Sequence, residues 1–267
     1  MEQTENKPDY NPQGKSFLAW VGGKSQLSKQ IIELMPKHHC YCEVFGGAAW
    51  VLFKKTQSPV EVFNDINGEL VNLYRVLKHH LDEFIRQFDY VLLSRDEFAR
   101  FKKQSPECLT DIQRAVRYYY LVRLSYGTKA VDHSFASAAS RALSIDLSRF
   151  KDSLSEANKR LSHVTVENQH YSKIIQRFDT DKTLFYLDPP YYGYENYYGN
   201  GIFSRDDFAL LRDQLKAIKG KFILSVNNAI EIKELFSDFT IIETSARWSL
   251  GLSTKPDNPN ELIIKNF

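Results

Sequence analysis

Seven short apolar runs, spaced along the whole chain and several closed by Gly, Asn, Asp or Pro, constrain this fold more than any other feature. They are "YCEVF" (41–45), "VEVFN" (60–64), "HVTVE" (163–167), "TLFYL" (183–187), "KFILSV" (221–226), "TIIET" (240–244) and "ELIIKN" (261–266). Their β-branched and aromatic residues suit a pleated, half-buried surface. Between them, "SQLSKQIIELM", "GELVNLYRVLKHHLDEFIRQF", "SRDDFALLRDQLKAI" and "IEIKELF" carry apolar residues three and four apart, the spacing of a helix face. Strands alternating with helices predict an α/β fold, mostly parallel, with helices on both faces of the sheet. With 267 residues, 43% of them hydrophobic, the chain can bury a large core as one domain or as a domain with an insertion.

Residues 68–162 break the alternation. They hold no convincing strand, long helical periodicity and a Ser/Ala-rich interruption, "SFASAAS", and read as a helical insertion. Residues 112–160 carry nine Lys/Arg against four acids, with aromatics interleaved as in "RYYYLVRLSYGTK". Such a stretch supplies phosphate contacts, or it is a solvated basic helix face with its tyrosines in the core. Arg117, Arg123, Tyr126, Lys129 and Arg141 are its candidate nucleic-acid contacts.

Totals discriminate little. A formal charge of +2 and a pI near 8.3 do not diagnose a polyanion binder. Three cysteines fit a reducing compartment, and Cys40-Tyr41-Cys42 has the wrong spacing for a zinc knuckle. No run reaches the roughly 18 apolar residues of a membrane span, and the first sixteen residues lack the apolar stretch of a signal peptide. The expectation is a soluble cytoplasmic protein whose residues 1–16 form a frayed tail.

In an open α/β sheet, ligands bind beyond the carboxyl ends of the strands. Gly46 and Gly47 follow the first run, permitting a tight turn and close backbone approach to a ligand before a helix predicted from about Ala48. Asp65 closes the next run, about 20 residues on, where an acid accepts ribose hydroxyls in nucleotide-type sites. The glycines do not continue as GxGxxG, and "GGKS" (22–25) is no P-loop because Leu18 stands where that motif needs glycine. After the fourth run comes Asp188-Pro189-Pro190-Tyr191. The prolines fix φ and offer no N–H, leaving the Asp188 carboxylate and a neighbouring carbonyl as two adjacent rigid acceptors. Two acceptors suit an –NH₂ group, and Tyr191 offers a face for the heterocycle bearing it.

These residues have a familiar order. "FLAWVGGKSQL" (17–27), "EVFGGAA" (43–49), "NDIN" (64–67), "DPPY" (188–191) and "NELIIKNF" (260–267) together resemble the Dam-like, alpha-group DNA adenine-N6 methyltransferases of phages and restriction-modification systems. The resemblance covers nearly all of the chain from Phe17. It implies a Rossmann-like, seven-stranded mixed sheet formed by 17–67 and 163–267, a helical DNA-recognition insertion at 68–162, S-adenosylmethionine as cofactor, and no metal. Trp20 and Lys24 would line the cofactor site, Lys24 also near the catalytic loop. Glu43, Phe45 and Gly47 would hold the methionine part, Asp65 the ribose and Ile66 the adenine face. Asp188, Pro189 and Tyr191 would hold the flipped target adenine, Asp188 also contacting the cofactor. Relatives often carry an acid at the position of His170 to bind the cofactor's adenine amine; a neutral histidine can accept that hydrogen bond, or Asn168 does the work. Where relatives usually have a further glycine, this chain has Ala49.

The expected partner is double-stranded DNA, with GATC or a relaxed sequence as target, a cognate restriction endonuclease as a candidate companion, and a monomer in solution. Rival readings are a non-catalytic DNA-binding module derived from such an enzyme and an N-methyltransferase of RNA or protein. The leading Asp188 favours adenine in DNA over the Asn-Pro-Pro-Tyr loops of the latter and over cytosine-N4 methylation, which more often uses Ser there.

Overall fold

All seven runs are strands: β1 Cys40–Glu43, β2 Val60–Asn64, β3 Val164–Glu167, β4 Thr183–Leu187, β5 Lys221–Asn227, β6 Thr240–Thr244 and β7 Glu261–Lys265. The structure, a computed structural model, describes Asp9, Asn11, residues 14–18, Trp20, residues 23–125, Phe135, residues 147–195 with backbone alone at 147–149, Gly199, and residues 201–244 and 261–267. The strands form one sheet in the order β3-β2-β1-β4-β5-β7-β6. The strands from β1 to β5 run parallel, and β7 lies antiparallel between β5 and β6. The sheet is therefore mixed, with its reversed strand supplied by the C-terminal run.

The helices in chain order are α1 Ser28–Leu34, α2 Trp50–Lys54, α3 Gly68–His79, α4 Leu81–Phe88, α5 Arg95–Lys103, α6 Asp111–Leu124, α7 Leu147–Leu161, α8 Tyr171–Phe178, α9 Arg205–Ala217 and α10 Ile230–Leu235. Side chains alternate across a pleated strand, so each strand feeds two cores. Tyr41, Phe63, Leu184, Tyr186, Ile223 and Ile263 join the apolar residues of α1 to α7 on one face. Cys42, Val62, Phe185, Leu187, Phe222 and Leu224 join those of α8 to α10 on the other.

The helices of 68–161 share one continuous apolar cluster with the sheet. Tyr118, Tyr119 and Tyr120 are all buried in it, which favours the blander of the two readings of "RYYY". Arg160 of α7 reaches back to the sheet, donating to Glu61 Oε1 at 2.8 Å and to the Leu52 carbonyl at 2.9 Å, while the fully buried Lys55 pairs with the same Glu61. Arg160 is thus occupied by an internal carboxylate, as a buried acid requires.

Three local expectations are corrected. The single helix expected over 68–88 is two, divided at His80 (φ −136°, ψ 37°), a bend that lets Phe84 and Phe88 pack on Tyr119 and Phe150. The helix expected from about Ala48 begins at Trp50, because Gly46–Ala49 is a turn in which Ala49 itself is left-handed (φ 52°). Within the tail expected to fray, residues 9 and 11 are held: the Asp9 amide donates to Thr56 Oγ1 at 2.9 Å, its carbonyl accepts the Thr56 amide at 3.0 Å, and the Asn11 amide bonds the carbonyl of Lys54 at 2.6 Å. Lys54 ends α2, where the last carbonyls lack helical partners and can capture a passing strand.

Candidate active site

The strand order reverses between β1 and β4, and there a crevice opens at the carboxyl ends of the parallel strands. The cleft encloses about 870 Å³ of empty space, its solvent-filled mouth included. Nine of the ten residues expected at the cofactor site line it: Trp20, Lys24, Glu43, Phe45, Gly47, Asp65, Ile66, His170 and Asp188. The tenth, Asn168, is exposed and acts from outside, donating to the carbonyls of Asp65 at 2.7 Å and Ile66 at 3.1 Å.

The glycine loop is built around close approach. A Cβ on Gly46 would lie 2.1 Å from the Phe63 ring, and Gly47 adopts φ 49° with Trp20 packed against its Cα. Asp65 holds this loop: its Oδ2 accepts the Gly47 amide at 2.9 Å and its Oδ1 the Asn67 amide at 2.8 Å. Burial raises its acid above the ordinary value, against these amide bonds. Asn64, which the sequence did not single out, ties three strand ends together. Its Nδ2 donates to the carbonyls of Val44 and Gln169, and its Oδ1 accepts the Gln169 amide at 2.9 Å.

The face shared by Tyr41 and Tyr186 turns polar at its carboxyl end. Glu43 Oε2 accepts Tyr41 Oη at 2.8 Å and the Leu52 amide of α2 at 3.0 Å. Burial, more than these bonds can offset, pushes Glu43 up to about 8, so it is neutral at pH 7. Asp188 follows β4 on the same face. Its Oδ1 receives Lys24 Nζ at 2.6 Å and Ser225 Oγ at 3.1 Å, and Ser225 is itself bonded to Tyr186 Oη at 2.9 Å. Among the described residues Oδ2 takes no hydrogen bond. Burial raises the Asp188 acid to about 6, the neighbouring Lys24 pulling it back, and it remains ionised at neutral pH. Lys24 is buried, which opposes its charge, but Asp188 and Glu261 outweigh that and hold its ammonium well above the ordinary lysine range.

Pro189 and Pro190 are buried. Asn227, at the end of β5, clamps Tyr192, two residues beyond Pro190, from both sides, accepting its amide at 2.8 Å and donating to its carbonyl at 3.0 Å. The Tyr191 hydroxyl turns inward, receiving a hydrogen bond from Lys24 at 3.0 Å and bonding Glu261. Sequence reasoning missed Asn64, Tyr186, Ser225, Asn227 and Glu261. Their signal was position alone: all but Glu261 lie at or near the carboxyl end of a parallel strand, and Glu261 heads the antiparallel β7.

His170 caps α8. Its Nδ1 accepts the Ser172 amide at 3.3 Å and meets Ser172 Oγ at 2.7 Å. A neutral ring that accepts there carries its proton on Nε2, so its free nitrogen donates. In the insertion, Arg117 spends its Nε on the Phe101 carbonyl at 2.8 Å, Arg114 pairs with Glu69 and Lys151 with Asp89, whereas Arg123 is exposed. Tyr126, Lys129 and Arg141 lie outside the described residues.

A mixed α/β sheet with its cleft at the β1–β4 reversal defines an enzyme that takes its ligands on the carboxyl edge of parallel strands. Residues 20–250 match the model of the D12 class N6 adenine-specific DNA methyltransferases, and the chain belongs to that family. It is 27% identical over 296 residues to the type II methyltransferase M1.LlaDCHI of Lactococcus lactis subsp. cremoris, spanning 98% of both chains. It is 25% identical over 269 residues to the type II methyltransferase M.CviBI of Paramecium bursaria Chlorella virus NC1A, covering 95% of this chain and 100% of that one. A DNA adenine methylase of Serratia marcescens is 32% identical over 116 residues, 42% of this chain and 43% of its own. The protein is an adenine-specific DNA methyltransferase, with DNA as its substrate. Among the described residues no group of His, Cys, Asp and Glu is arranged to hold a metal, and no helix is long and apolar enough to cross a membrane.

Asn64→Leu, which keeps a side chain branched at Cγ but abandons three hydrogen bonds of a buried residue, is expected to lower unfolding free energy by on the order of 3 kcal/mol. Urea denaturation measures it, and a loss below about 1 kcal/mol would show that the three strand ends are held otherwise.

Proposed function

We propose that the cleft binds S-adenosylmethionine and that Asp188, Pro189 and Tyr191 present the N6 amine of an extrahelical adenine of double-stranded DNA for methylation. The observation that carries this reading is the state of Asp188: a rigid, ionised carboxylate in the same cleft as Gly47 and Asp65, one oxygen fully engaged and the other free of partners among the described residues.

The chain's residues fit such a cofactor. Gly46 and Gly47 line the cleft in a turn closed by the Phe63 and Trp20 rings, and a neutral Glu43 does not repel the ligand's own carboxylate. Asp65, its oxygens each holding one amide, keeps lone pairs for ribose hydroxyls, and Ile66, 41% exposed, offers an apolar surface to a base. His170 would donate from Nε2 to a ring nitrogen, the reverse of what an acid there does. When bound, S-adenosylmethionine supplies an electrophilic methyl group.

Adenine N6 is a poor nucleophile because its lone pair is delocalised into the ring. Asp188 Oδ2 and the Pro189 carbonyl, accepting its two hydrogens, favour a pyramidal nitrogen with the lone pair directed out of the ring plane. Charge-assisted bonds of this kind contribute about 1.5–3 kcal/mol each, and the fixed loop supplies orientation. Removing the base from the duplex costs a few kcal/mol, which stacking on Tyr191, and on Tyr192 beside it, offsets. The insertion would position the duplex, Arg123 contributing a phosphate contact. GATC, or a relaxed version of it, is the proposed target, and a monomer in the cytoplasm the proposed setting; relatives named type II methyltransferases favour a cognate restriction endonuclease beside it.

Asp188→Ala is expected to abolish transfer of labelled methyl to unmethylated DNA while S-adenosylhomocysteine still binds in calorimetry; retained transfer would refute the role of Asp188. In the unaltered enzyme the charged form of Asp188 is lost as pH falls through about 6, turning an acceptor into a donor. Single-turnover transfer should therefore fall below that pH, and a rate flat down to pH 5 would contradict it. Arg123→Glu should weaken DNA binding and reduce its dependence on salt concentration by about one phosphate contact; an unchanged slope would make Arg123 a solvated surface charge.

A further inference from the structure

Pleat parity places Glu43, Asp188 and Glu261 toward one face of the sheet, and the segment before α1 delivers one ammonium, Lys24, among them. Glu261 heads β7 opposite Asn227 of β5 and is 2% exposed, behind the residues that line the cleft. Lys24 Nζ lies 2.6 Å from Asp188 Oδ1 and 3.2 Å from Glu261 Oε1, and Tyr191 Oη bonds both Lys24 and Glu261. Neutralising Asp188 needs Lys24 alone. A second buried carboxylate beside the same cation is unfavourable unless its hydrogen bonds hold something in place.

We propose that Glu261 is a positioning residue for methyl transfer, anchoring Lys24 and Tyr191 so that the ammonium stays on one oxygen of Asp188 and the other is left to the amine of the target base. The proposal rests on the reading of Asp188 as acceptor of that amine. Without Glu261, Asp188 is the one carboxylate left paired with Lys24 among the described residues, the ammonium can straddle both its oxygens, and the Tyr191 hydroxyl loses the Glu261 acceptor. Among the described residues the groups facing Asp188 are Lys24 before α1, Glu43 of β1, Tyr186 of β4, Tyr191 of the loop after β4, Ser225 of β5 and Glu261 of β7. Of these Glu261 opposes ionisation of Asp188 and Lys24 favours it.

Glu261→Gln keeps an acceptor for the Tyr191 hydroxyl and removes the charge. Single-turnover methyl transfer to unmethylated DNA should slow about tenfold or more. The acid limb of its pH profile should move to lower pH by about one unit, while S-adenosylhomocysteine affinity in calorimetry changes little. An unchanged rate and an unmoved limb would overturn the proposal. So would equal losses of rate, affinity and melting temperature with the limb in place, the pattern of a merely structural residue. Should Glu261→Gln not fold, Glu261→Asp draws the charge back by one methylene; it should slow transfer and move the limb the same way by less, and wild-type behaviour there would be equally fatal. An active Asp188→Ala would remove the reading of Asp188 itself, whereas an inactive Asp188→Ala beside an unaffected Glu261→Gln would remove only the positioning role.

Discussion

The alternation of side chains along pleated strands governs where chemistry can occur in this protein. Tyr41, Tyr186, Ile223 and Ile263 face the same layer of helices. Moving toward the carboxyl edge on that parity brings Glu43, Asp188 and Ser225 into line, and the antiparallel β7 adds Glu261 by running the opposite way. One side of each strand therefore changes from apolar core to polar cluster within two residues. A slip of one residue in any strand would send its polar group into the opposite core.

Three acids brought together by backbone geometry create an electrostatic problem, resolved with one cation. Glu43 yields by staying neutral, satisfied by Tyr41 and the Leu52 amide. Asp188 and Glu261 stay near Lys24, so the ion pair joins the start of the described chain to its last strand. The contrast with Lys55, Glu61 and Arg160 is instructive. There two cations meet one acid, far from the cleft, and every oxygen of Glu61 is engaged. Asp188, its side chain 20% exposed, lines the cleft, and its Oδ2 has no hydrogen-bond partner among the described residues.

Charge in the insertion reads differently once the helices are packed. Residues counted together as one basic cluster divide by environment: Arg160 and Arg114 answer to Glu61 and Glu69, Arg117 to a carbonyl of α5, and Arg123 to solvent. Composition records only the sum, because the acids that engage these arginines lie 45 to 99 residues away in the chain. The same separation hid Asn64 and Asn227, whose work is to bind backbone of distant loops.

The sequence by itself determined the seven strands, the strand-end loops at Gly46, Asp65 and Asp188, and most of the cleft lining, since each depends on local periodicity and on backbone rules for glycine and proline. It also carried the family resemblance through short motifs. The reversed β7, the break at His80 and the sharing of Lys24 between Asp188 and Glu261 were decided only by tertiary structure. Each depends on which distant groups compete for a hydrogen bond or a charge, and that competition exists only after strands remote in the chain have been laid side by side.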